Sequence, residues 1–65
     1  MDFAKQARRR AYKCGYKFGL TEAEREEVKR HWTDIYKNAI FPETLAEAEE
    51  ILLWIKEAEE ELKTA

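Results

Sequence analysis

The chain has 65 residues, with 12 Lys+Arg against 14 Asp+Glu, a formal net charge of −2, one Cys and one Pro. A domain of this size buries only about 60% of the surface its unfolded chain exposes, which leaves little room for the deep cleft that most enzymes need. A lone cysteine closes no disulfide, no ligand cluster offers a metal staple, and no run approaches ~18 apolar residues. The chain is expected to be soluble, with no membrane role and no cofactor, and held together by apolar packing.

Apolar residues recur at helical spacing in three segments, and none alternates with period two over more than a few residues. The first segment predicts a helix over residues 3–18, closed by Gly19 just beyond Phe18. Thr21-Glu22-Ala23-Glu24 has the spacing of a capping box, so a second helix is expected over 22–39. Pro42 suits the first turn of a third helix, and Thr44 to Glu47 offers an alternative capping box two residues later; the expected span is 43–63. Connections of a few residues then give an all-α, single-domain, up-down-up three-helix bundle.

A helical wheel assigns each helix an inward stripe. For helix 1 it is Ala4, Ala7, Ala11, Cys14 and Phe18, with Phe3 at the edge. For helix 2 it is Val28, Trp32, Ile35 and Ala39, bordered by His31 and Tyr36. For helix 3 it is Leu45, Ala48, Ile51, Leu52, Ile55, Ala58 and Leu62, with Phe41 just before. The small residues of helix 1 would then face the large ones of helices 2 and 3.

Charge is segregated: residues 1–18 carry a net +5, residues 19–40 a net −1 and residues 41–65 a net −6. In a three-helix bundle, helices 1 and 3 run parallel and touch, so opposite charge favours that pairing and penalises alternatives. Exposed pairs contribute at most ~1 kcal/mol each, so the pattern specifies arrangement more than it stabilises.

The same wheel turns Lys5, Arg8, Arg9, Tyr12, Lys13 and Tyr16 outward on helix 1, with Gln6 beside them. Tyrosine and arginine are the types enriched at binding hot spots, and Gly15 on the same side would admit a partner's backbone. The competing structural reading lays the tyrosines along neighbouring helices. A second candidate patch is Leu53 with Trp54, because Ile51-Leu52-Leu53-Trp54-Ile55 is too long an apolar run for one helical face; the structural alternative folds Trp54 over a helix seam.

His31 and Cys14 are too few to hold zinc, which takes three or four ligands. Cys14 reads as a small core residue, inert when buried, and His31 as a boundary residue. The Glu-rich surface reads as a solvated face, with no acid–base pair embedded in apolar surroundings, so no enzymatic function is expected. Basic residues interleaved with tyrosine also fit nucleic acid, but the −6 of the last segment cancels most of the phosphate-attracting field.

Short capped connections and Ala/Glu/Lys/Leu-rich stretches such as Glu43-Thr44-Leu45-Ala46-Glu47-Ala48-Glu49-Glu50 and Thr21-Glu22-Ala23-Glu24-Arg25-Glu26-Glu27 make the chain resemble de novo designed three-helix miniprotein binders. Helix 1, with Arg8-Arg9-Arg10 and Cys14-Gly15, departs from that style. The resemblance implies a helical face docked on a target protein, with aromatic anchors at the centre. The expectation from sequence is therefore a monomer that binds a protein of partly acidic surface through helix 1. The alternative is a small natural regulator, phage-like, that binds nucleic acid or a protein through the same basic helix.

Overall fold

A computed structural model describes residues 2–64, which form three helices: α1 (Phe3–Phe18), α2 (Glu22–Asn38) and α3 (Pro42–Thr64). The fold is an all-α three-helix bundle, as the periodicity predicts. The Asp2 carboxylate caps α1 by accepting from the Lys5 backbone N–H at 3.1 Å. The capping box of α2 is complete: the Glu24 N–H donates to Thr21 Oγ1 at 3.2 Å, and the Thr21 N–H donates to Glu24 Oε1 at 2.8 Å. That backbone donor also holds the Glu24 carboxyl below its usual range.

Gly19 ends α1 with right-handed backbone angles, its N–H donating to the Gly15 carbonyl at 2.8 Å. A Cβ at Gly19 would lie 2.9 Å from that carbonyl oxygen, so close approach, not a left-handed turn, requires glycine. Of the two starts open to α3, the structure takes the earlier. Pro42 is the first helical residue, the Leu45 N–H closes on the Phe41 carbonyl at 3.0 Å, and Thr44 lies inside the helix.

The longest helix is the hub. Helices α1 and α2 each pack on α3 and scarcely touch one another, which flattens the molecule to Cα extents of 36 × 32 × 17 Å. The fully buried side chains are Ala48, Ile51, Trp54, Ile55 and Ala58 of α3, together with Tyr16 of α1. Tyr12, Leu20, Val28, Trp32 and Leu52 pack around them, half-buried. Helix α2 therefore turns its expected stripe inward without burying any side chain completely.

Helix α1 is turned about half a revolution from the expected orientation. Ala4, Ala7, Ala11 and Cys14 are exposed, as are Phe3 and Phe18, whereas Tyr12 and Tyr16 face the core. Size accounts for the inversion. An alanine methyl brings little more to a core than one CH₂, about 0.8 kcal/mol, whereas a tyrosine brings most of an aromatic ring of ~150–250 Å². The same rotation lays the basic residues of α1 along the carboxylates of α3.

Candidate binding surface

The six residues expected to form an outward contact face, Lys5, Arg8, Arg9, Tyr12, Lys13 and Tyr16, are brought together, but along the seam with α3. Tyr16 is 3% exposed. The Tyr12 ring lies 6.0 Å from that of Trp54 at a 54° tilt, and the Arg8 guanidinium sits over the same indole at 5.9 Å. Beside the aromatics runs a ladder of ion pairs. Lys5 meets Glu50 at 3.2 Å and Arg8 meets Glu47 at 3.2 Å; Arg9 pairs with Glu57, Lys13 with Glu57 and Glu61, and Lys17 with Glu61 at 2.9 Å. Apart from the Arg8–Glu47 pair, the partners ascend together along α1 and α3, so the two helices are parallel, as the up-down-up topology predicts, and paired, as the segregated charge predicts.

Proton affinities follow from these contacts. Burial, and then the nearby carboxylates of Glu59 and Glu26, push the Tyr16 hydroxyl up to about 12. Tyr12 is raised by burial as well, with a hydrogen-bonding contact to Trp32 pulling the other way. Hydrogen bonds from Lys13 and Lys17 bring Glu61 down to about 2. Both tyrosines thus stay neutral at physiological pH and serve as packing, and the cations beside them already have partners.

The second candidate patch is divided. Trp54 is 4% exposed and belongs to the core, whereas Leu53 points outward at 55%. The Trp54 side chain is drawn in because Tyr12 and Arg8 of the rotated α1 close over it.

The surface left free is the one assigned to the core. On α1, Phe3 and Phe18 are 75% and 76% exposed at the two ends of a stripe of small residues, Ala4, Ala7, Ala11, Cys14 and Gly15. A Cβ built on Gly15 would meet nothing within 4 Å, so packing inside the chain gives no reason for glycine there. Toward α2 the stripe runs into an apolar groove of about 390 Å³, lined by Ala11, Gly15, Gly19, Leu20 and Val28 and by the flanks of Tyr12 and Tyr16. The groove exists because α1 and α2 do not close on each other.

A second exposed apolar cluster, which the wheels missed, lies where the chain turns from α2 to α3: Tyr36, Ile40, Phe41 and Leu45. Its signal was legible. Ile40 and Phe41 stand in the connection immediately before Pro42, where a reversing chain cannot aim two bulky side chains into the core.

On the far flank of α1, Gln6, Arg10, Cys14 and Phe18 join Arg9, Lys13, Lys17 and Glu61 around a depression of about 350 Å³. Cys14 is an exposed free thiol, which corrects the expectation of an inert core cysteine. His31 is exposed too, its ring meeting Trp32 edge-on at 5.6 Å. Among the described residues, no cluster of His, Cys, Asp or Glu could hold a metal ion, and no helix is long and apolar enough to cross a membrane. No protein family, curated protein or solved structure matches the chain.

Proposed function

We propose that the protein is a non-enzymatic protein-binding module whose contact face is the outward stripe of α1, Phe3–Phe18, with the adjoining groove toward α2. One observation carries this reading: an amphipathic helix whose apolar side its own fold leaves uncovered, with two phenylalanines three-quarters exposed. Exposed aromatics at the rim of an apolar groove are the ordinary composition of a protein-docking site, and bulky anchors dominate its energetics. The likeness to designed miniprotein binders supports the same class of function. The acidic partner expected from a free basic face loses its ground, because five of the six cations of α1 are paired with carboxylates of α3. Binding nucleic acid through this helix would require opening the same pairs.

A displayed library of amphipathic helices, panned against the immobilised chain, tests the proposal. Helices that bind should lose at least ~10-fold in affinity with Phe18→Glu and be indifferent to Leu53→Glu. Binders that ignore Phe18→Glu and respond to Phe41→Glu would move the function to the α2–α3 turn.

A further inference from the structure

We infer that the partner fitted by the α1 stripe is a second copy of this chain, the two α1 helices crossing antiparallel about Ala11. The inference rests on the reading of that stripe as a protein-binding face and names its occupant. Two independent observations carry it.

The first is surface area. A folded chain of 7.8 kDa is expected to expose about 4,400 Å², and this one exposes 5082 Å². The excess, about 700 Å², is close to the ~800 Å² that each partner buries in a stable interface.

The second is register. When Ala11 faces Ala11 of the other copy, Phe18 falls opposite Ala4, each seven residues from the centre. Phe3 falls opposite Gly19, eight residues away, and Ala7 opposite Gly15, four away. Phe18 thus meets a small residue, and the middle of the seam contains only small ones, Ala7, Ala11, Cys14 and Gly15. The stripe is complementary to itself, and small residues at the crossing allow the helix axes to approach to ~8 Å. A two-fold pairing of this kind is closed and ends at the dimer.

Electrostatics opposes the pairing only weakly. Arg10 has no acidic partner among the described residues, and the pairing brings the Arg10 side chains of both copies to one edge of the seam. Added salt screens that repulsion, so association tightens with ionic strength, opposite to the behaviour of phosphate binding.

Sedimentation velocity of the full chain, from micromolar to millimolar concentration, is the test. The expected result is a concentration-dependent dimer that Ala11→Glu weakens at least ~100-fold, because each dimer would hold two carboxylates at the centre of the seam. Circular dichroism should show the helix content of that variant unchanged, since residue 11 is exposed in the single chain. Phe18→Ala should weaken the dimer about 10-fold. A monomer throughout overturns the second copy as occupant, while the helix library still decides whether the stripe binds protein. A dimer insensitive to Ala11→Glu overturns the register and places self-association on another face.

Discussion

Helices α1 and α3 both carry an apolar stripe at helical spacing, and the fold treats the two in opposite ways. Helix α3 supplies all but one of the fully buried side chains, four from its stripe and Trp54 from beside it, whereas the stripe of α1 lies in solvent while its tyrosines go inward. The difference is one of size. Ile51, Ile55 and Trp54 have enough surface to make burial decisive; Ala4, Ala7, Ala11 and Cys14 do not, and Tyr12 and Tyr16 outweigh them once the hydroxyl ends find polar surroundings. A helix thus turns the face with more removable apolar area toward its neighbour, even when that face also carries its charges.

Substitution on the two faces of α1 gives the largest separation. Tyr16→Ala should cost about 3 kcal/mol of folding stability in urea unfolding, because it removes an aromatic ring from the core beside Trp54. Phe18→Ala, a comparable truncation two residues later, should change the stability of the single chain by less than ~0.5 kcal/mol. Equal losses would mean that α1 is not rotated as described.

Titration sharpens the same contrast with a smaller effect. The Tyr16 hydroxyl is raised in the folded chain, so its contribution is complete below about 10 and is lost as the pH rises toward about 12. The depressed Glu61 acts in the other direction: its contribution is complete above about 4.5 and is lost as the pH falls toward about 2. Stability followed by helical circular dichroism should therefore decline at both ends. Glu61→Gln should remove part of the acid limb and leave the alkaline one, and Tyr16→Phe the reverse.

The smallest perturbation is chemical labelling of Cys14. An exposed thiol should react with a disulfide reagent in the folded chain at close to its rate in urea, with no loss of helix content. Protection of many orders of magnitude would return Cys14 to the core and reverse the orientation of α1.

The elements were legible in the sequence almost to the residue. Gly19, the Thr21–Glu24 box and Pro42 are local devices whose chemistry acts within one turn, and charge segregation announced the pairing of α1 with α3. The rotation of α1 was not legible, because hydrophobic periodicity counts alanine and cysteine as apolar and tyrosine as ambiguous, without weighing how much area each removes from water. Trp54 was misplaced for a related reason: its burial depends on which residues of α1 cover it. With the rotation inverted, the candidate face and the candidate core on α1 exchanged places. The competing reading, in which the tyrosines lie along a neighbouring helix, describes what the structure shows.

The hub position of α3 has a consequence for the order in which the fold assembles. α1 and α2 are made first yet scarcely touch, so neither has a partner until α3 has been synthesised. The α2–α3 hairpin, close in sequence, can form by local closure, whereas the ion pairs between α1 and α3 join residues 39 to 48 apart in the chain. α1 therefore docks last, onto a preformed acidic track. Until it docks, both of its faces are open to solvent, the tyrosine side as well as the alanine side.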